Sequence, residues 1–587
     1  MSFTTRPTLR GYGGAVSAGH YLATQAGARV LAEGGNAADA ACAMGFALQL
    51  LEPHMNGPAG EVPILVYRAD EQRCYTLSGQ GTAPAAATIE HMRALGLDLI
   101  PCDGLLAATV PAALDAWCLL LERFGSWSLE AVLAPARTLA ERGFPMYAPL
   151  SHFLLGLESR FREEWPTSAT IYLPLRAIGE SQTNPAYAQL LAELVSTERA
   201  GPGTREQRIR AARDSFYKGR PAEQIEKFLE QEFRDVSGRA HAGLLTAQDL
   251  ASYDGSIEEP LAIGYRGARI FKCPPWSQGP VFLQQLRLLE GFELSAMGFQ
   301  TVDALHTWIE CAKLAFADRE ACYGDPRFAQ VPLGELLSES YAATRRKLVD
   351  SERASLELRP GLGQLPAGWP LLGSAPAEPI EPEELAAVQG RSDTTHLDAV
   401  DREGNLVSAT PSGGWIPSSP VIPELGFPVG TRGQMFVLDP EHPNALAPGK
   451  RPRTTLTPSL AELPDGRRIA FGTPGGDQQD QWSVHLFLNL VDFGLTDLQQ
   501  AIDAPTLHSL HMPSSFYPRQ AQLGVVAAET RIPADVIAGL VKRGHRVQDS
   551  GPWAHGRVMA VTHDPARGLV EAAASPRGGT AYALALP

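Results

Sequence analysis

Two threonines, Thr394 and Thr395, follow Ser392-Asp393 and open the stretch TTHLDAV. A threonine hydroxyl is a weak nucleophile until a base takes its proton. If the bond between Asp393 and Thr394 is cut, Thr394 gains a free α-amino group. An α-amine with a pKa near ~8 can act as the base for the hydroxyl of its own residue. The cut itself needs no second enzyme if the Thr394 hydroxyl attacks the Asp393 carbonyl. The plainer alternative for these two residues is a polar strand start with no chemistry.

The residues that follow supply a partner for that hydroxyl. Thr394–Val400 and Leu406–Ser412 read as two extended segments, joined by Asp401-Arg402-Glu403-Gly404-Asn405. A three-residue loop with glycine in the left-handed position is a favoured hairpin connection, which places Gly404 last in the loop. Asp401 then faces Asn405, Val400 faces Leu406, and Thr394 faces Ser412. A slip of one residue would turn every side chain to the other face. Further on, FGTPGG ends a strand in Gly475 and Gly476. Consecutive glycines let backbone N–H groups approach a ligand and serve as an oxyanion hole; an ordinary strand-to-helix turn is the alternative. KRPRTTLTPSL offers paired hydroxyls at Thr454 and Thr455, or simply a polar strand entrance. GYGGAVSAG fits neither phosphate-loop pattern, and no GxSxG elbow or HExxH metal helix occurs. The 14 histidines show no ligand spacing, so no metal or cofactor is expected.

The elements that must hold these residues divide at about residue 393. The pattern is helical over Tyr21–Leu51, with Asn36 as an N-cap and Asp39 three residues on. AADAACAMGFALQLL is small or apolar all round, the mark of a buried helix. Residues 61–79 alternate as strands, helical patterns dominate from about 110 to 255, ARIFKC reads as a strand, and 280–350 is helical again. Residues 359–393 hold six prolines and no apolar period, a flexible or extended connector. From 394 onward strands alternate with turns (LVSAT, GQMFVL, RRIAFG, RVMAVTH, LVEAAAS), with helices near 484–503 and 533–543.

The composition of the 587 residues is that of an ordinary globular protein, 44% hydrophobic and 20% charged. Length alone allows roughly four domains, or one large α/β unit. A net charge of −15 argues against a general nucleic-acid or anionic-membrane binder. Seven scattered cysteines without a CxxC pair suit free thiols in a reducing compartment. MSFTTRPTLRGYGG has no apolar core of a secretory signal, and no apolar run approaches the ~20 residues of a spanning helix. A cytoplasmic location follows as the expectation.

Taken together and in order, these blocks resemble the gamma-glutamyltranspeptidase family of N-terminal-nucleophile hydrolases over nearly the whole chain. GGNAADAACA resembles its early helix; FYKGRPAEQI, GLLTAQDLASY, YRGARIFKCPPWSQG and AFADRE its central blocks; DTTHLDAVDREGNLVSAT its processing segment; RPRTTLTP and GTPGG its later blocks. The resemblance implies a four-layer α/β/β/α sandwich, self-cleaved into a large subunit, 1–393, and a small subunit, 394–587, that stay together as a heterodimer. It implies Thr394 as nucleophile, Ser412 in place of a supporting threonine, and Gly475 and Gly476 as the oxyanion glycines. Thr454 and Thr455 stand for paired serines that hold a substrate carboxylate, and Gln434 for a contact to the substrate's amino-acid end.

Departures from the family pattern fall on recognition. Gln80 stands where the family has an arginine for the α-carboxylate, Gly414 replaces an asparagine, and Val437 replaces an acid that pairs with the α-amino group. PHMNGPAGE lacks the usual run of glycines. Asp439 or Arg432 could substitute, Arg432 sharing a strand face with Gln434; solvated strand-end charges are the alternative. Losing one charge partner in a buried site costs a few kcal/mol, so the loss of both should largely abolish a γ-glutamyl preference. The expected activity is therefore an autoprocessing amidohydrolase acting on a small amide through an acyl-enzyme, with oxamate as the nearest candidate because PPWSQG and TPSGGW are similar to that divergent branch. The alternatives are a true gamma-glutamyltransferase or glutathione hydrolase with relocated anchors, and an unprocessed small-molecule binding protein.

Overall fold

A computed structural model describes residues 3–366, 369, 371, 372 and 394–587; Asp393 and most of the connector lie outside the described residues. The expected hairpin is present. Val400 pairs with Leu406 and Leu397 with Ala409, and the Gly404 N–H donates to the Asp401 carbonyl at 3.1 Å. Gly404 has φ +83°, the left-handed conformation that this loop position requires.

Around that hairpin a seven-stranded sheet forms, in spatial order Tyr582–Leu586, Gly14–Ala18, Leu397–Asp401, Leu406–Ala409, Ile64–Arg68, Arg73–Leu77 and Ile257–Glu258. A second seven-stranded sheet runs Leu9–Gly11, Leu569–Ala574, Met559–Asp564, Arg468–Gly472, Ser459–Glu462, Ala268–Lys272 and Leu261–Tyr265. Every neighbouring pair in both is antiparallel. Each sheet draws strands from both sides of residue 394. The change of pattern at about residue 393 is therefore not a boundary between folding units.

Period-two alternation assigns the faces of the central strand. Leu397 and Ala399 join an apolar core under the helices, whereas Val400 joins the core between the sheets, with Leu460, Ala470 and Val561 of the second sheet. Helices cover the outer faces: Tyr21–Ala32 and Ala37–Leu51 lie on the first sheet, Gly279–Leu289, Val302–Cys322 and Gln479–Val491 on the second. The result is the four-layer α/β/β/α sandwich. The helix Ala37–Leu51 is buried at every position, as its all-round apolar pattern predicts, and the Asn36–Asp39 capping box starts it. Among the described residues no helix is long and apolar enough to cross a membrane.

One expected strand is absent. At GQMFVL, a 3-10 turn runs from the preceding Arg432 to Met435, and Val437 makes a single bridge, to Ala445. Arg432 and Gln434 consequently share no strand face.

The two sheets approach each other closely where the strand Arg468–Gly472 ends. A Cβ on Gly472 would lie 2.3 Å from Cε1 of His396, which hydrogen bonds to Thr410 and Asp398 hold in place. Gly472→Ala should therefore destabilise the protein by about 1–3 kcal/mol through overpacking, read as a lower urea midpoint at an unchanged slope. An unchanged midpoint would show that this contact does not set the sheet spacing.

Candidate active site

Past Leu397 the first sheet continues as single bridges. Thr394 pairs with Ser412, and Ser412 with Glu61, whose backbone exchanges hydrogen bonds with Ser412 at 2.8 and 2.9 Å. The Thr394 Oγ1 lies 3.1 Å from the Ser412 Oγ, as the hairpin register requires, and both residues are buried. Arg432 reaches this pair from the 3-10 turn. Its Nη2 donates to the Ser412 Oγ at 2.8 Å, and its guanidinium ion-pairs with the Glu61 carboxylate, neither side chain being exposed by more than 2%. The rings of Trp415 and Phe516 lie 5.1 and 5.8 Å from the Arg432 guanidinium carbon. A hydroxyl oxygen that accepts from a guanidinium has its electron density drawn off, so its own hydrogen becomes the better donor. Directed at Thr394 Oγ1, that hydrogen would stabilise the oxygen as it loses its proton.

The second sheet brings the glycines. Gly475 and Gly476 follow the Gly472 strand end that touches His396, two residues beyond Thr394. Their φ values of +132° and +55° turn the backbone into the 3-10 turn Gly476–Gln478 ahead of the helix Gln479–Val491. Asp477 anchors this corner: it ion-pairs with Arg319 and accepts from Ser515 N–H at 2.8 Å and Ser515 Oγ at 2.6 Å. Buried Arg319 is one of the groups that hold the Asp477 carboxyl below its ordinary range, against the opposing push of its own burial.

The remaining sequence-predicted residues are placed as follows. Gln80 is fully buried beside Gly79, which bonds to Val62 next to Glu61; its Oε1 has no hydrogen-bond partner among the described residues. Gly414 has φ +60°, and a Cβ there would lie 2.7 Å from the Gly60 N, so this position cannot carry the asparagine of the family pattern without displacing backbone. Gln434 is engaged at both ends, its Nε2 donating to the Cys102 carbonyl at 3.2 Å and its Oε1 accepting from Tyr517 N–H at 3.2 Å. Thr454 accepts from Leu456 N–H at 3.4 Å, while the buried Thr455 Oγ1 has no partner among the described residues. Val437 is buried and apolar. Asp439 caps its own turn through Glu441 N–H. Arg432 is committed to Glu61 and Ser412, so it is neither a free substitute anchor nor a solvated strand-end charge. Glu61 went unrecognised as a site residue, because only a contact spanning 371 positions reveals its pairing with Arg432. No group of three metal-ligating side chains occurs among the described residues.

The sequence profile of gamma-glutamyltranspeptidase matches residues 23–585. The chain is 32% identical to the acylase ACY 1 proenzyme of Pseudomonas sp. (strain SE83), covering 97% of this chain and 93% of that one. It is 30% identical to the glutathione hydrolase proenzyme of Bacillus subtilis (strain 168), at 98% and 92% coverage. Among solved structures, LmbA2991HD superposes at a TM-score of 0.94 with 46% identity over 100% of both chains. Cephalosporin acylase from Bacillus halodurans superposes at 0.82 with 30% identity, over 100% of this chain and 98% of that one.

The buried Arg432–Glu61 pair makes a stability prediction independent of chemistry. Arg432→Met or Glu61→Gln alone should cost about 3–5 kcal/mol, because each leaves its partner's charge buried and uncompensated. The double variant should recover a large part of that loss. Two single losses that simply add in urea unfolding would contradict the coupling.

Proposed function

The chain belongs to the gamma-glutamyltranspeptidase family, and on that premise we propose that it is a self-processing amidohydrolase with Thr394 as nucleophile. The observation that carries this reading is the Thr394 Oγ1–Ser412 Oγ contact of 3.1 Å, reached by the register of the central hairpin. After cleavage at Asp393–Thr394, the new α-amine would take the Oγ1 proton while Oγ1 attacks the amide carbonyl. Gly475 and Gly476 N–H groups would receive the oxyanion, as preorganised donors do in acyl transfer. The amine leaves with the proton held by the α-ammonium, and water, delivered by the same amine, hydrolyses the ester on Thr394. Fragments 1–393 and 394–587 remain one body, since both sheets are built from both.

The acyl group in this reading lacks the α-amino end of a γ-glutamyl group. Three observations favour that: Val437 offers a buried apolar side chain where the family places an acid, Gln80 is neutral, and Gly414 has no room for a side chain. Oxamate, with a carboxylate and no amino group, is the smallest amide of this kind. The similarity to two acylases supports an acyl donor other than γ-glutamyl. The similarity to a glutathione hydrolase keeps the γ-glutamyl reading as the competitor.

Oxamate and a γ-glutamyl anilide assayed side by side on the processed protein separate the two. Ammonia release from oxamate with anilide turnover at least ~100-fold slower is expected, from the loss of two charge partners. Anilide turnover without release from oxamate would overturn the substrate assignment. Thr394→Ala should run as one full-length band under denaturing conditions, whereas the wild type gives two. A single inactive band from the wild type would favour a binding protein. Ser412→Ala should lower kcat about 10–100-fold with little change in KM, the pattern of an interaction made mainly in the transition state.

A further inference from the structure

The wall formed by Ser515–Arg519 joins the two halves of the site. At one end, Phe516 lies on Arg432 beside Ser412; at the other, Ser515 binds Asp477 next to Gly476. Behind this wall sits a buried cluster of charges. Arg319, Arg453 and Arg519 are each exposed by no more than 2%, and Glu320 and Asp477 by 2% and 6%. Arg319 pairs with both acids and Arg453 with Glu320. The neighbouring His442 is kept neutral by burial, which pushes it down to about 4. Among the described residues, three cations thus face two anions, and Arg519 is the cation without an acid of its own.

An uncompensated buried charge costs several kcal/mol unless a ligand or partner offsets it. Arg519 reduces that cost only in part. Its Nη2 donates to the carbonyls of Gln434 and Phe436, both at 2.8 Å, and the Trp369 ring lies 5.5 Å from its guanidinium carbon. A ring over the guanidinium face leaves the in-plane donors available. Nε and Nη1 of Arg519 have no hydrogen-bond partner among the described residues. The backbone of Arg519 is itself left-handed, with φ +61°, a conformation that non-glycine residues adopt at a cost and mainly where the surroundings impose it. Burial and the adjacent Arg453 pull its guanidinium down to about 10, so it stays charged at neutral pH.

We infer that Arg519 is the anchor for a carboxylate on the substrate's acyl group, replacing the arginine that Gln80 has displaced. The inference rests on the reading of Thr394 as nucleophile for its place in catalysis. The ligand class is an ω-carboxy acyl amide: one carboxylate to meet the Nη1 donors, and no amino group. A carboxylate there would bring the cluster to neutrality and accept a charge-assisted hydrogen bond from Nη1, whose hydrogens are not used by the Gln434 and Phe436 carbonyls. Gln434 is then a support that positions Arg519 through its carbonyl and not a ligand for the substrate.

The test uses the processed wild-type protein and a ladder of p-nitroanilides, oxalyl through glutaryl, each with its neutral acyl counterpart of equal length. The wild type is expected to favour one carboxylate-bearing member. Arg519→Met should lower kcat/KM for that member about 10–100-fold, the range for a lost charge-assisted pair, and leave its neutral counterpart within about threefold. Arg519→Lys should recover part of the loss. Equal losses on both members, or none on either, would overturn the anchor. Calorimetric titration with succinate and butyrate reads the site without turnover: succinate should bind the wild type and not Arg519→Met, and butyrate neither. Succinate binding through Arg519 in a protein that cleaves no amide would support the anchor and sink the reading of Thr394. Amide cleavage indifferent to the carboxylate would do the reverse.

Discussion

The register between Leu397–Asp401 and Leu406–Ala409 is the constraint from which the rest of the site follows. Gly404 closes the loop in the left-handed conformation, and the pairs above it set Thr394 opposite Ser412. Because side chains alternate with period two, a slip of one residue would turn His396, Asp398 and Val400 towards the helices and Leu397 into the gap between the sheets. The burial of both faces makes such a slip costly. The strand is also bonded on its other edge to Gly14–Ala18, so the position of Thr394 is fixed by residues nearly four hundred positions away.

Electrostatics at this position are arranged in two buried layers. The nearer layer, Glu61–Arg432–Ser412, is charge-balanced and orients the hydroxyl beside Thr394. The farther layer, around Arg319, Arg453 and Arg519, carries excess positive charge among the described residues and lies along the segment that walls the site. In the proposed mechanism a balanced pair suits a hydroxyl that must ionise, because net positive charge there would also raise the cost of protonating the α-amine. In the inferred binding mode, excess positive charge suits an anionic group that must stay bound.

Much of this was legible in the chain itself. The hairpin, the buried early helix and the glycine corner follow from short-range rules: loop glycines, an all-apolar helix, a capping box at Asn36. What local pattern could not show are contacts between distant residues. GQMFVL has the composition of a strand, yet the demands of Arg432 for Glu61 and of Gln434 for Cys102 and Tyr517 hold it as a 3-10 turn. Gly414 reads as a lost side chain, but the backbone of Gly60 occupies the space in which that side chain would begin. Arg519 carries no motif at all; its significance appears only when the charges around it are counted.

The central claim is that acyl transfer passes through the Thr394 hydroxyl. Rapid acid quench of the processed protein during turnover of a slow amide, followed by intact mass measurement and peptide mapping, tests it most directly. The account predicts a mass increase equal to the acyl group on the fragment beginning at Thr394, located on that first residue and absent from fragment 1–393. An acyl group on any other residue, or steady turnover with no trapped ester under conditions where deacylation limits the rate, would contradict it.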